Sequence, residues 1–426
     1  MNERLASTRA AGERQKAWFA EFRAGVLERG EPYVIADAVA PHEIFHAMDI
    51  PVVSVVWYAA VVAAKRLSSH YLDFLATLGY HDALPRYTSL PMAVTLEGDA
   101  ARAPYGGLPK PMLVLDRLRG ESSQRISEQW AAALGAPVFS LDVPAARSLP
   151  RDWHLRARSD WEALYEPARL DFQVEQIKTL IRLTETLSGR EFDAVRFVAE
   201  MQRINEAGEI VADIRNLLAR ARPAPIPLTE QLGNVMAATW NRGSEWSVQH
   251  LRRYRDEVKA LIDNGTAACP NERLRLLWLN NGLWFNTGFY RAFEEKYGAV
   301  FVWSMYSDFL SDGYRRDFDA SDPQSALRAL ASRHIGMNEQ LHLPPMMADW
   351  IIHQARDFGA DGAVMLVPVG DRLSAYGTQL CAQALERAGI PVLQLHASMV
   401  DERLWDDAAM QARVADFIEQ RLPNRN

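Results

Sequence analysis

The sequence predicts an α/β protein in which two doubly wound parallel-sheet units flank a helical insert. Three observations lead there. Short apolar, β-branched runs alternate with helical stretches toward both ends of the chain, the pattern of a parallel sheet covered by helices. Between about residues 158 and 263 the apolar spacing becomes that of helices alone. The 426 residues, 48% hydrophobic and 24% charged, exceed one ordinary core and have soluble globular composition. The expected division is 1–150, 151–265 and 266–426.

The elements follow in order. Residues 4–29 carry Leu5, Trp18, Phe19, Phe22 and Val26 among charges, an amphipathic helix. Pro41 opens a short helix that ends before Asp49, because Pro51 disfavours helix at Ile50. The run 51–56 reads as a buried strand, followed by a helix over roughly 59–78 that stops at Gly79. Strands at 112–116 and 137–141 enclose a helix over 121–134 that closes at Gly135. In the insert, Phe172, Val174, Ile177, Leu180 and Ile181 recur at helical spacing, as do Phe192, Val195, Phe197, Val198, Met201 and Ile204. The prolines between Ala221 and Leu228 interrupt that run. Strands return at 274–279, 299–303, 362–367 and 391–395, alternating with helices at 288–297, 344–358, 373–388 and 406–421.

Composition narrows the function. Lys+Arg 47 against Asp+Glu 54 gives −7, so no global basic field favours nucleic acid. No apolar stretch approaches the ~20 residues of a membrane span, and the charged N-terminus lacks a signal-peptide core. With two cysteines, Cys269 and Cys381, there is no disulfide framework, so a cytoplasmic protein is expected.

Ligands of such sheets bind outside the carboxyl ends of the strands. Neither glycine-rich phosphate loop follows any strand, and the G-x-S-x-G elbow of hydrolases is absent. One metal motif is present, His42-Glu43-Ile44-Phe45-His46, which spells H-E-x-x-H. Its context does not suit zinc: Pro41 puts His42 in the first turn of a helix about two turns long. A surface helix with Glu43 favoured by the helix dipole is the simpler expectation. Both cysteines read as small buried hydrophobes. Aromatic residues at strand ends are more informative. Trp57 and Tyr58 follow the first strand, and Tyr87 lies in a loop after Gly79. Trp284 and Asn286 follow an Asn280-Asn281-Gly282 turn, and Tyr306 caps the next strand. Such a lining suits an organic, aromatic substrate.

These segments together resemble the 2-hydroxyacyl-CoA dehydratase and benzoyl-CoA reductase family. Pro41-His-Glu-Ile-Phe-His-Ala-Met-Asp-Ile-Pro51 is similar to that family's P-x-E-l-x-x-A-x-G-x-P opening. Val56-Trp57-Tyr58-Ala59-Ala60 with Ala63-Ala64-Lys65 is similar to its N-Y-A-S-Y-x-A-A-K segment. Gly79-Tyr80, Gly107-Leu-Pro-Lys-Pro111, Phe293-Glu-Glu-Lys-Tyr-Gly-Ala-Val300 and Ala388-Gly-Ile-Pro-Val392 continue the match over about 30–420. The resemblance implies two flavodoxin-like domains and a two-subunit enzyme. It also implies a [4Fe-4S] cluster held by cysteine thiolates at strand ends, and a separate ATP-hydrolysing activator.

The sequence departs from that pattern at the thiolates. The three family cysteine positions fall near Leu84-Pro85-Arg86-Tyr87, Arg117-Leu118-Arg119 and Val369-Gly370-Asp371-Arg372, and none is Cys. Cations at Arg86, Arg119 and Arg372 are expected to occupy that space, and this chain is expected to bind no cluster. Three readings follow. The first is a cluster-less subunit shaping an aromatic acyl-CoA pocket beside a cluster-bearing paralogous subunit, in a heterodimer or heterotetramer. The second is a redox-neutral acyl-CoA lyase or hydratase. There Arg86, Arg119 or Arg372 bind a carboxylate or thioester oxygen, and His81, Tyr58 or Asp371 move protons. The third is a non-catalytic acyl-CoA-binding or assembly protein. Expected substrate contacts are Trp57, Tyr87, Lys110, Trp284, Asn286, Tyr306 and Ser374, while Arg252-Arg253 and Arg315-Arg316 read as solvated surface charge.

Overall fold

Two four-stranded parallel sheets form the frame of the structure. It is a computed structural model that describes residues 4–82, 84–118, 121–143, 149–339 and 346–423, with residues 121, 122, 337–339, 346, 372 and 373 described by backbone alone. The first sheet is ordered β2 (Val52–Ser54), β1 (Val34–Ala36), β3 (Leu113–Arg117), β4 (Val138–Leu141). The second is ordered β6 (Ala299–Ser304), β5 (Leu274–Asn280), β7 (Gly362–Pro368), β8 (Val392–Ala397). The two orders are the same, and each pairing is parallel. The chain leaves the first strand toward one edge and returns to pair the third on its other side. The connections diverge there and leave a crevice at the carboxyl ends.

Burial explains the strands. β1 and β3 are buried along their whole length, as are β5, β6 and β7, so their apolar side chains face helices on both sides. β4 is partly exposed over three of its four residues, as suits an edge.

The structure corrects several expected elements. β1 has no counterpart among the strands read from sequence, because a three-residue run carries too little periodicity to register. The strand expected at 51–56 stops at Ser54, and a helix starts at Val55. That helix breaks after Ala64, where Arg66 takes φ +57°, and a second runs Ser68–Thr77. Tyr87 lies in a helix, Arg86–Glu97, rather than a loop; Pro91 inside it disguises the helix. A helix at Pro323–Glu339 was not anticipated, and the expected helix 288–297 is a 3₁₀ turn followed by a single turn of α-helix. The helix His42–His46 is not at the surface: His42 and Glu43 are both buried.

Four long helices form the insert: Pro167–Ser188, Ala194–Arg220, Leu228–Trp240 and Glu245–Asp263. Asp193 and Ser244 cap two of them by accepting from Arg196 N and Ser247 N. The first helix of the chain, Ala6–Glu28, packs on this insert, where Ser7 N donates to Glu257 Oε2 at 3.1 Å. Buried apolar clusters run through all three segments; one joins Leu115, Val211 and Leu277, another Phe19, Ile35, Leu228 and Trp278. No described helix is long and apolar enough to cross a membrane.

Candidate functional site

The carboxyl ends of both sheets open onto one cleft. It encloses about 90 Å³. From the first sheet come Asp37 after β1, Val56 after β2 and Thr88 of the helix Arg86–Glu97; from the second come Asn281, Tyr306 and Asp371, after β5, β6 and β7. The helix Leu228–Trp240 supplies Met236, Thr239 and Trp240, and the turn after β6 supplies Phe309 and Tyr314. A larger, more open depression of about 750 Å³ lies between residues 149–155 and the helices Met346–Phe358 and Thr378–Arg387. Its lining reaches Arg387 and Ala388, ahead of β8, and includes none of the strand-end residues named above. We take the smaller cleft as the site because open α/β sheets bind ligands at carboxyl ends.

Local chemistry holds each side chain in place. Asn280 ends β5 with φ +66°, a conformation Asn tolerates better than most residues. Its amide donates to Leu366 O at 2.9 Å and Ser374 O at 3.0 Å, which fixes the end of β5 against β7. Asn281 then accepts from Tyr306 Oη at 3.2 Å. Asp371 accepts from Ser374 Oγ at 3.0 Å and Ser374 N at 3.3 Å. On the other wall Asp37 lies 3.4 Å from Arg117 Nη2, and both are buried at the adjacent ends of β1 and β3.

Behind this wall sits a fully buried charged cluster. Glu43 Oε1 accepts from Arg242 Nε at 2.8 Å and lies 3.1 Å from Arg333 Nη2. Both guanidiniums lie over the Tyr314 ring, 5.1 Å from its centre, and Tyr314 Oη donates to Ala38 O at 3.1 Å. Burial alone would raise the Glu43 carboxyl; Arg333 and Arg242 overcome it and hold the group well below the usual carboxylate range. The H-E-x-x-H sequence is thus a structural element. His42 Nε2 contacts Asp37 O at 2.7 Å, burial pushes the His46 imidazole down to about 4, and Glu43 neutralises two arginines.

The expected site residues divide as follows. Tyr87, Tyr306 and Asp371 line the cleft, and Ser374 holds Asp371. Burial raises the phenols of Tyr87, Tyr306 and Tyr314, so all three stay protonated near neutrality. Trp57 stacks on Trp240 at 5.6 Å, and Trp284 packs edge-on to Tyr306 at 5.2 Å, so both brace lining residues from behind. Arg86 Nε pairs with Asp401 Oδ2 at 2.8 Å, joining the two lobes beside the cleft. Tyr58 is buried in the first lobe, where its hydroxyl donates to Pro104 O at 2.8 Å. His81 is exposed ahead of the helix Arg86–Glu97. Lys110 is exposed before β3, at the amino end of the sheet. Asn286 donates to Asp407 Oδ1 at 2.6 Å. Arg119 and the Arg372 side chain lie outside the described residues.

Of the expected surface arginines, Arg252 pairs with Glu206 in the open, but Arg315 and Arg316 are buried; Arg316 donates to Ser332 Oγ at 3.2 Å. Sequence reasoning missed Asp37, Met236, Trp240 and Tyr314. Asp37 was findable as the residue ending the apolar run Tyr33–Ala36. The others come from segments far away in sequence, and nothing local marks them.

The arrangement does not suit an iron–sulfur cluster on this chain. Such a cluster needs thiolates at the strand ends. Cys269 lies before β5, at the opposite end of that sheet, and Cys381 is buried inside a helix, with burial pushing its thiol up to about 12. Among the described residues no three His, Cys, Asp or Glu side chains are grouped to hold a metal ion.

The chain is similar to known proteins over most of its length. Relatives include the (R)-2-hydroxyisocaproyl-CoA dehydratase alpha subunit of Clostridioides difficile, 20% identical over 92% of this chain and 90% of that protein. The (R)-phenyllactyl-CoA dehydratase alpha subunit of Clostridium sporogenes is also 20% identical, over 92% and 90%. Lactoyl-CoA dehydratase subunit alpha of Anaerotignum propionicum is 20% identical over 93% and 92%. The model of the family described as 2-hydroxyglutaryl-CoA dehydratase, D-component, matches residues 37–420, from the aspartate that follows β1 to the last helix, and the chain belongs to that family.

Proposed function

We propose that this chain is the cluster-less subunit of a heteromeric enzyme of the 2-hydroxyacyl-CoA dehydratase or benzoyl-CoA reductase type. Its cleft receives the acyl end of a CoA thioester, and a paralogous cytoplasmic partner carries the [4Fe-4S] cluster. One observation carries the reading: family membership over nearly the whole chain coincides with Arg86, Arg117 and Asp371 at loops where the resemblance expects thiolates. Arg86 and Arg117 are already paired with Asp401 and Asp37, so these loops are knit by ion pairs.

The lining suits a thioester. Tyr87, Tyr306 and Tyr314 are neutral phenols at neutral pH and serve as hydrogen-bond donors or acceptors, not as bases. Asp371, held by Ser374 at the mouth of a short helix, is the lining carboxylate best placed to take or return a proton. Asp37 is committed to Arg117. The apolar side chains between them exclude water from the acyl group.

The test is anaerobic purification of the tagged chain, co-expressed with the products of neighbouring genes, followed by iron and sulfide assay of each polypeptide recovered. A second, cysteine-bearing chain with iron at cluster stoichiometry is the expected result. An iron-free chain that purifies alone and hydrates or cleaves an acyl-CoA would overturn the subunit reading. Iron retained by this chain alone would overturn its cluster-less role.

A further inference from the structure

We infer that the acyl group admitted by the cleft is short and uncharged, and that Met236 and Trp240 set its length. The inference rests on the acyl-CoA reading above and adds the substrate class.

Size comes first. A dry protein cavity of about 150 Å³ accommodates benzene. The space here, about 90 Å³, is about three-fifths of that. Scaled from the six ring carbons it takes about three or four carbon atoms, so a short straight or singly branched chain beyond the carbonyl fits and a phenyl ring does not. Although the walls are aromatic, the acyl group is therefore aliphatic.

Rigidity makes the limit meaningful. Met236, Thr239 and Trp240 stand at i, i+3 and i+4, on one face of the helix Leu228–Trp240, and all three line the cleft. Trp240 is stacked on Trp57 with ring planes 11° apart, and Trp57 is packed in turn against Phe19 at 5.0 Å, so the indole has no room to withdraw. Thr239 directs its hydroxyl proton to Val235 O at 2.7 Å, within its own helix. Gln231 ties the same helix to Val302 O of β6 at 3.1 Å. Phe309 is braced by Tyr306 at 5.2 Å. Of this wall only Met236, an unbranched thioether, adjusts easily.

Charge sets the second limit. Of the carboxyl groups that line the cleft among the described residues, Asp37 is balanced by Arg117, whereas Asp371 is held by Ser374, a neutral partner. A carboxylate at the far end of the acyl chain would be buried beside the Asp371 carboxylate, which is costly.

The experiment is calorimetric titration of the full-length protein, with any partner that co-purifies, using butyryl-CoA, 3-phenylpropanoyl-CoA and glutaryl-CoA. Butyryl-CoA is expected to bind at least about tenfold more tightly than either of the others, the scale of discrimination an apolar pocket achieves over a few carbon atoms. Met236→Ala removes three side-chain atoms and is expected to erase most of the butyryl preference over phenylpropanoyl while leaving glutaryl-CoA weak. Met236→Trp fills the same space and is expected to weaken butyryl-CoA by at least about tenfold. Equal binding of butyryl- and phenylpropanoyl-CoA by the wild type overturns the size limit. So does an unchanged ratio in both folded variants. Tight binding of glutaryl-CoA overturns the charge limit. Failure of all three thioesters to bind overturns the acyl-CoA reading itself, and the inference with it.

Discussion

Replacing Glu43 with Gln keeps the shape of the side chain and removes one charge, so it isolates what the buried carboxylate contributes. The side chains of Glu43, Arg242 and Arg333 are 1%, 0% and 3% exposed, and one carboxylate serves both guanidiniums. Removing one partner of a buried pair typically costs about 3–5 kcal/mol, because the remaining charge stays buried without compensation. Two uncompensated arginines argue for the upper part of that range. Unfolding entropy of about 2.1 cal/mol/K per residue, summed over the chain, gives about 0.9 kcal/mol/K, or about 1 °C per kcal/mol. Glu43→Gln is therefore expected to lower the melting temperature by about 5 °C in scanning calorimetry at fixed scan rate. Adding Arg333→Met should recover part of the loss, since one orphaned charge goes with it. The control is Glu128→Gln, which breaks the exposed pair Arg125–Glu128 (69% and 38% exposed) and should leave the melting temperature unchanged. Because folding holds Glu43 ionised far below its ordinary 4.5, its contribution is complete above that pH and is lost only as pH falls toward the folded value. The gap between wild type and variant should therefore narrow below about pH 4.5. A Glu43→Gln protein that melts within about 1 °C of wild type at pH 7 would refute the reasoning.

Three further outcomes follow from other parts of the structure. Asp401, 1% exposed, holds both Arg86 and Arg403; Asp401→Asn should cost about 3 kcal/mol and raise hydrogen exchange in residues 86–97 and 398–405, and unchanged exchange would show that the lobes are held together elsewhere. Gly370 has φ +78°, and a Cβ there would overlap Arg86 Nη1, so Gly370→Ala should destabilise by more than about 1 kcal/mol in urea; Arg86→Met should relieve the overlap but not the backbone strain. Burial, aided by the charge of Glu43, pushes the Glu200 carboxyl up to about 8, so the folded protein holds a proton there that the unfolded chain releases above its ordinary 4.5. Wild-type stability should fall between those values by up to about 1.4 kcal/mol per pH unit from this group, and Glu200→Gln should flatten that slope; an identical pH profile in the variant would refute the assignment.

The same picture makes the contact between His46 and Glu200, 3.8 Å apart, a meeting of two neutral groups at pH 7. The geometry alone reads as a salt bridge. Burial of Glu200 and partial burial of His46 favour the neutral forms, and Arg242 beside the imidazole and Glu43 beside the carboxyl add to it.

How much of this was legible in the sequence depends on the range of the interaction. The strands at 112–116 and 274–279 and those that follow were visible because a buried strand is a local apolar run between turn residues. Tyr306 and Asp371 were legible as cleft residues because the carboxyl ends of parallel strands converge on one crevice, a rule that converts a local reading into a position in space. β1 was missed for want of length, and with it the order of the first sheet and the role of Asp37. Trp240 and Met236 were missed because periodicity describes a helix face without saying what that face meets. Glu43 was misjudged for the same reason: a charge in a first turn looks solvated unless its partners, here at positions 242 and 333, are known. Arg117 illustrates the complementary case: the family resemblance singled out the segment 117–119, and the structure supplies the partner of Arg117, Asp37.

The helix Ala6–Glu28 has a consequence for how the protein is made. One of its faces lays Phe19 against Trp57 and Tyr105, so that contact becomes available once the first sheet has left the ribosome. Its other attachment joins Ser7 to Glu257, 250 positions later. At a synthesis rate of roughly 5–20 residues per second, that second face waits roughly 12–50 s for the helix that covers it. The nascent chain thus passes through a state in which the first lobe is already assembled while its leading helix still presents an uncovered side. The insert that covers that side is synthesised before the second lobe.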